Sequence, residues 1–376
     1  MREELLERAQ ALVPVLKERA NECEKLRRIP EATIADLKST RLVDVCKPAQ
    51  YGGYELGWDV FCEIVMELAQ GCGSTAWVYS VYAEHANRMG NYPLEIQAEV
   101  WGTDPNTFIS SGNSGQAELE PVDGGFRLSG RFNYSSGCDH AGWHITGAKV
   151  KDTKERRQIA FPASDRELDD NWFVVGLAGT GSKDYLLNDV FIPEYRTYII
   201  PQPGVRAKDN VIFRLPQWSV NPFDLAAVSV GVAQGGLDQF VESLKTRMSR
   251  FGAKIAEFQS LQLRIAESAA ELDMARRIIL DDLRESQDYL QDNKKLPRDM
   301  MTRNKRDMAY APVLATRAID RIFYAAGAGG LLLSGDLQRC FRDVHAGAAQ
   351  LALNWDVNGT TYGQVALGLD PGMVRW

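Results

Sequence analysis

The sequence predicts a mainly α, α+β fold in three regions, ordered helices, strands, helices. Three observations carry this. Apolar residues recur at helical spacing through residues 1–104 and again through 206–376. Between them, over 105–205, Gly, Ser and Thr rise, and β-branched and aromatic residues alternate with polar ones. The 376-residue chain, 45 % apolar and 25 % charged, is also long enough for two or three domains or one large multilayer fold.

In the N-terminal α-helical domain, 1–104, Leu5, Leu6, Ala9, Leu12, Val13 and Leu16 form one apolar stripe with charges on the opposite face. Pro30 starts a second helix carrying Ile34 and Leu37. Pro48 and Tyr51-Gly52-Gly53 break the pattern, and helices resume over 58–69, 74–89 and 94–101. In the central region, 105–205, Phe126 and Leu128 alternate with Arg127 and Ser129 directly after Asp123-Gly124-Gly125, a hairpin-turn signal. Trp143 and Ile145 share one strand face, His144 and Thr146 the other. Residues 158–163 and 185–192 read as further strands, and the basic stretch 149–157 as a solvated hairpin tip. In the C-terminal helical region, 206–376, one long stripe runs over 254–289, another over 300–326 and a third over 337–353, a pattern that suits a bundle.

Fifty acidic against 43 basic residues give a net charge of −7, which argues against a nucleic-acid partner. No apolar run approaches the ~18 residues of a membrane span. The longest, 225–233, is broken by Ser229 and Gly231, and the opening Met-Arg-Glu-Glu has no apolar signal-peptide core. Six scattered cysteines without a Cys-x-x-Cys pair predict reduced thiols and a cytoplasmic location. The fingerprints Gly-x-Gly-x-x-Gly, Gly-x-x-x-x-Gly-Lys-Ser/Thr, His-Glu-x-x-His and Gly-x-Ser-x-Gly are missing. Four histidines (His85, His140, His144 and His345) are too few for a multi-histidine cage, so no metal is expected. A flavin enzyme stays open, because backbone amides and hydroxyls can bind its ring.

Several segments together resemble the acyl-CoA dehydrogenases over nearly the whole chain. Pro48-Ala49-Gln50-Tyr51-Gly52-Gly53 is similar to their Pro-x-x-Tyr-Gly-Gly, and Phe251-Gly252 with Gln259 to their Phe-Gly…Gln. Gly329-Gly330 and Arg342-Asp343 resemble their late Gly-Gly and Arg-Asp. Three departures mark a sub-branch. Tyr134-Ser135-Ser136-Gly137-Cys138-Asp139-His140 replaces Trp-Ile-Thr-Asn, and Gly179-Thr180-Gly181-Ser182 replaces Arg-Gly-Ser. The glutamate base expected nine residues after Arg342 is Leu351, whereas Arg342-Asp343-Val344-His345 offers a histidine earlier on the helix. These features resemble the two-component flavin monooxygenases with the acyl-CoA dehydrogenase fold, whose members hydroxylate 4-hydroxyphenylacetate and a phenolic secosteroid.

The resemblance implies an N-terminal α domain, a central β-barrel and a C-terminal four-helix bundle. It implies the oxygenase component of a two-component system. Reduced flavin, FMNH2 or FADH2, diffuses in from a separate reductase, O2 adds to give a C4a-hydroperoxide, and one oxygen atom passes to a small aromatic, phenolic substrate. The apolar stripes over 254–289 and 300–326, with family sites near subunit boundaries, predict a homotetramer. Neither membrane nor nucleic acid is an expected partner.

For the site, the resemblance places the Ser136 hydroxyl at the flavin N5, where the alternative is a turn serine, and Tyr134 beside the ring in place of a tryptophan. Gly329 and Gly330 join Trp77 among the cofactor-binding candidates, with Trp77 also readable as core. His345 is the candidate phenol base. Ser111, on the strand resembling the flavin-edge strand, is a candidate contact to the substrate phenol or the flavin, the alternative being a strand-end serine, and His85, eight residues after Trp77, a candidate contact to substrate or hydroperoxide, the alternative being a solvated helix-end histidine. His140 and His144 are read as structural. Arg247 and Arg250 precede Phe251-Gly252, where the family often binds flavin phosphate. Two rival readings stay open: an N- or S-oxygenase of the same fold, needing no phenol base, and an acyl-CoA dehydrogenase with its base moved to Glu257, Glu267 or Glu271.

Overall fold

The computed structural model describes residues 1–200, 205–249, 251–293 and 295–372; Arg250 lies outside them. The first region holds α1 (Arg2–Leu26), α2 (Glu31–Thr40), α3 (Trp58–Gly71), α4 (Gly73–Met89) and α5 (Leu94–Thr103). In α1, Leu5, Ala9, Leu12, Leu16, Ala20 and Cys23 are buried at three- and four-residue spacing, and the helix ends where Arg27 turns left-handed at φ 52°. Helix α3 is buried nearly all round, packed against α1 and the C-terminal helices. Its two glutamates sit inside because they are paired, Glu63 with Arg2 and Arg276, Glu67 with Arg276.

The last region holds α6 (Phe223–Thr246), α7 (Gln259–Asp292), α8 (Arg298–Ala326), α9 (Leu337–Ala348) and α10 (Trp355–Ala366). Helix α6 packs on α3, α8 and α9, and α7 packs on α8. Helices α3 and α6 cross closely because Gly231 and Gly235 have no side chain. A Cβ at either would collide with the carbonyls of Met66 or Gln70. One apolar core therefore runs from Leu5 to Leu353 and joins the first and last regions. The sequence stripe over 254–289 begins five residues before the α-helix does. Gly252 is left-handed at φ 81°, and a Met248–Lys254 bridge holds this stretch as a turn. The 337–353 stripe divides too: α9 stops at Ala348, and Leu351–Leu353 is a separate 3-10 turn after Gln350, whose ψ of 136° leaves the helix.

The central region forms β1 (Ile109–Ser111), β2 (Glu118–Val122), β3 (Gly125–Ser135), β4 (Trp143–Val150), β5 (Arg156–Pro162), β6 (Glu167–Asp169), β7 (Lys183–Pro193) and β8 (Thr197–Ile200). The tight turn after Val122 and the tip at 151–155 stand where the sequence predicts them. The expected barrel is corrected to a single open sheet of eight strands, ordered β6-β7-β3-β2-β4-β5-β8. Closure would need β6 to pair with β8. These edge strands span only three and four residues, and their pairings among the described residues are to β7 and β5. Both β1 and β2 run parallel to β4 and share its edge end to end. Leu119, Leu128, Phe132, Ile159, Phe161 and Tyr185 fill the inner face. No helix among the described residues is long and apolar enough to cross a membrane.

Candidate functional site

The first-region helices, the sheet and α9 meet at Ser136. It follows β3, whose last turn is forced by two left-handed residues, Tyr134 at φ 60° and Gly137 at φ 71°. A positive φ at a tyrosine is strained backbone of the kind found at functional sites. A shift in the β3–β7 register falls between Phe132 and Ser135 and lets the strand make that turn. Tyr134 is 68 % exposed and meets the Trp172 ring edge-on at 6.2 Å.

Ser136 itself is buried. Its Oγ accepts from Trp77 Nε1 at 3.1 Å and lies 2.6 Å from Ser182 Oγ. Ser182 Oγ lies 2.7 Å from Thr180 Oγ1, which donates to the Leu177 carbonyl at 2.8 Å. The Ser136 carbonyl accepts from Ser110 Oγ at 2.8 Å, and the Gly137 carbonyl from Tyr82 Oη at 2.6 Å. The Gly179–Ser182 segment is a tight turn as the sequence suggests, with Leu177 and Gly181 both left-handed. Gly179 is needed there because a Cβ would strike Cys23 and Ser74.

Helix α9 clamps this turn. Asp343 Oδ1 accepts from the Leu177 N–H at 2.6 Å, and Arg342 donates to the Val175 carbonyl at 2.6 Å and pairs with Glu24. Burial pushes the Asp343 carboxyl up to about 7. Gly347, four residues after Asp343 on the same helix face, approaches Trp77, Leu177 and Ser229.

Of the sequence-predicted residues, Trp77, Ser136 and Tyr134 come together. His345 is two residues from both Asp343 and Gly347, so it leaves the opposite face of α9. Its Nδ1 lies 2.7 Å from the Phe341 carbonyl and its Nε2 3.2 Å from Asp320 Oδ1 of α8. Its ring lies 4.4 Å from Phe341, which stacks on Phe323 at 4.2 Å, giving an aromatic platform. His85 is buried, with Nδ1 3.0 Å from the Ile109 carbonyl and Nε2 3.1 Å from Glu84. Burial pushes it down to about 4, so it is neutral at physiological pH.

Ser111 is half-buried on β1, and strand alternation turns its neighbour Ser110, not Ser111, onto Ser135 and Ser136. Gly329 and Gly330 lie in the 3-10 turn after α8, where Gly329 faces the Arg247 guanidinium. Arg247 donates to the Ala326 carbonyl. His140 bonds the Ile29 carbonyl at 2.8 Å in the α1–α2 loop; Arg166 donates to His144 at 2.6 Å inside the sheet. Glu267 and Glu271, alternative bases on α7, are engaged with Arg264, Arg317 and Arg321. No group of three or more His, Cys, Asp or Glu among the described residues could hold a metal ion.

Sequence reasoning missed Ser182 and Thr180 as a hydroxyl chain to Ser136, Ser110 as the partner of the Ser136 carbonyl, and Asp343 and Asp320 as partners. Thr180 and Ser182 stood in plain view in the turn motif, but the bond by which Ser182 joins them to Ser136 spans 46 residues of chain. The arrangement suits a flat ring with a polar edge. Tyr134 offers an exposed aromatic ring two residues from a buried, oriented hydroxyl.

Residues 2–97 match the N-terminal domain of acyl-CoA dehydrogenase and residues 224–355 its C-terminal domain. The chain is 33 % identical over 375 residues to the oxygenase subunit HsaA, a flavin-dependent monooxygenase of Rhodococcus jostii (strain RHA1), covering 97 % of this chain and 98 % of the relative. It is 33 % identical over 388 residues to the oxygenase component of the FADH(2)-dependent resorcinol hydroxylase of Rhizobium sp. (strain MTP-10005), covering 98 % and 95 %. The solved structure of XiaF from Streptomyces sp. in complex with FADH2 and glycerol superposes with a TM-score of 0.93 at 28 % identity, covering 100 % of this chain and 98 % of that one.

Proposed function

The chain belongs to the flavin-dependent monooxygenase oxygenase components built on the acyl-CoA dehydrogenase fold, and from that membership we propose that it hydroxylates a small phenol. The observation that carries the reading is the buried Ser136 hydroxyl, held between Trp77 and Ser182 at a strained turn. Bound reduced flavin, FMNH2 or FADH2 from a separate reductase, supplies the electrons that activate O2. The chain's own residues do the rest. Ser136 meets the ring at N5, Trp77 fixes the serine, and Tyr134 walls the ring. Gly329, Gly330 and Arg247 take the flavin phosphate end. His85 and Ser111 border the substrate. His345 Nε2 takes the phenol proton, which raises electron density ortho to the oxygen, where an electrophilic oxygen adds.

The test mixes anaerobic protein and reduced flavin with O2 and resorcinol or another simple phenol. Hydroxylated product is then measured against O2 consumed. A productive fraction is expected; O2 consumption with only hydrogen peroxide across a phenol panel would falsify the phenol reading.

Ser136→Ala is expected to uncouple the reaction. Losing one buried hydrogen bond costs about 0.5–1.5 kcal/mol, roughly 2- to 13-fold more peroxide per turnover. An unchanged peroxide yield counts against a role at N5.

The assembly is a cytoplasmic homotetramer in this reading, with residues 1–104, 105–205 and 206–376 as its three domains and α6–α9 as the four-helix bundle. Phe251, Tyr324, Leu331, Leu332 and Leu333 are exposed at 93 %, 79 %, 63 %, 60 % and 79 %, an apolar surface at one end of the C-terminal helices that a subunit interface would cover. Light scattering should give four chains per particle; a monomer at micromolar concentration contradicts it.

A further inference from the structure

Trp77, Ser136, Ser182, Thr180 and the Leu177 carbonyl form one chain of hydrogen bonds whose ends fix its direction. The indole N–H of Trp77 can only donate, and the Leu177 carbonyl can only accept. Each hydroxyl between them has one proton. Thr180 spends its proton on Leu177, so it must accept from Ser182. Ser182 then has nothing left to give Ser136 and must accept from it. Ser136 therefore points its proton inward. Toward anything bound beside it, Ser136 offers only its remaining lone pair.

We propose that Ser182 and Thr180 are positioning residues that lock Ser136 as a hydrogen-bond acceptor, so that the site selects flavin carrying a proton on N5, the reduced form, over oxidised flavin. The proposal rests on the reading of Ser136 as the N5 partner. Reduced flavin has an N5–H to donate, whereas oxidised flavin presents an N5 lone pair that would face the Ser136 lone pair. To bind the oxidised form, Ser136 must turn its proton outward and abandon Ser182. The anchor of the chain is firm. Leu177 is held left-handed at φ 52° with its N–H on Asp343, and its carbonyl also accepts from Trp172 Nε1 at 3.3 Å. Ser182 and Thr180 are both buried, so water does not substitute for either link.

The test is a pair of anaerobic titrations, with oxidised and with dithionite-reduced FMN and FAD, on the full chain. Ser182→Ala frees the Ser136 proton, and the ratio of oxidised to reduced dissociation constants should fall by about 2- to 13-fold, the worth of one hydrogen bond. The midpoint potential of bound flavin should fall with it by about 10 to 33 mV, at ~30 mV per tenfold for a two-electron couple. Thr180→Val, nearly isosteric and one link further from Ser136, lets Ser182 donate to Ser136 and should move the ratio the same way. Ser182→Thr keeps the hydroxyl and should restore the ratio. A site merely loosened by substitution would weaken both forms alike. Wild-type protein that binds flavin, with both variants leaving the ratio unchanged within twofold, overturns the proposal alone. Wild-type protein that binds neither form of either flavin overturns the flavin reading and the proposal together.

Discussion

His345→Ala is expected to cut hydroxylated product by ~10²–10⁴, the range for a lost acid or base, while reduced flavin is still oxidised by O2. The structure puts His345 and Leu351 on different elements. The position that would carry the thioester base, Leu351, is 83 % exposed and lies past the end of α9 in a 3-10 turn. It is thus not on the same helix as His345, contrary to what the 337–353 stripe suggests. His345 sits on α9 with its Nδ1–H committed to the Phe341 carbonyl at 2.7 Å, so Nε2 is the nitrogen left for proton transfer.

Asp320 lies 3.2 Å from that Nε2, a carboxylate placed to support the ring once it has taken a proton. Both side chains are about two-fifths exposed, 40 % and 38 %, so a phenol can reach Nε2 without unpacking the helix. The Phe323–Phe341–His345 stack gives an aromatic substrate a surface to lie on. His345→Asn retains hydrogen bonding and should recover part of the rate. The measurement is hydroxylated product per O2 consumed. A wild-type ratio in His345→Ala removes the base role and favours N- or S-oxygenation.

What was legible in the sequence is what local pattern encodes. The stripe of α1, the hairpin after Val122 and the compact turn at Gly179–Ser182 all follow from residues within a few positions of one another. What was not legible depends on contacts distant in sequence. Whether the sheet closes is decided by the lengths of β6 and β8. Which of Ser110 and Ser111 faces Ser136 is decided by the parallel register of β1 on β4, which no hairpin turn announces. The motif Arg342-Asp343 was visible, but its work was not. Asp343 holds an amide 166 residues away, and Arg342 the carbonyl of Val175. Ser182 and Thr180 looked like small turn residues because the hydroxyl that Ser182 reaches, Ser136, lies 46 residues away just past the end of β3.

That distant hold leads to the second large effect. Asp343→Ala should be about 1–3 kcal/mol less stable than Asp343→Asn at every pH, because it leaves the buried Leu177 N–H without a partner at a left-handed residue. Asp343→Asn should behave differently, since its amide oxygen can still accept from that N–H without a charge. The Asp343 carboxyl stands at about 7 in the folded chain because of burial, against ~3.9 for an unfolded aspartate. Between those values the folded state holds more protons than the unfolded one. Stability from this group is therefore greatest below pH ~3.9 and falls as pH rises, by up to about 1.4 kcal/mol per pH unit, until the folded carboxyl has ionised near pH 7.

Asp343→Asn removes that slope, so the variant should be as stable as wild type or less so near pH 5, and more stable at pH 8. Asp224 and Asp282 are also pushed up by burial, to about 8 and about 7, and add slopes of the same sign. The decisive quantity is accordingly the difference between wild type and Asp343→Asn in urea unfolding free energy at pH 5, 6, 7 and 8. A difference that stays constant across that range means the carboxyl ionises alike in both states, and the clamp on Leu177 is then a neutral hydrogen bond. A difference that grows toward pH 8, with Asp343→Ala below Asp343→Asn throughout, identifies a buried carboxyl retained for its grip on the turn that carries Thr180 and Ser182.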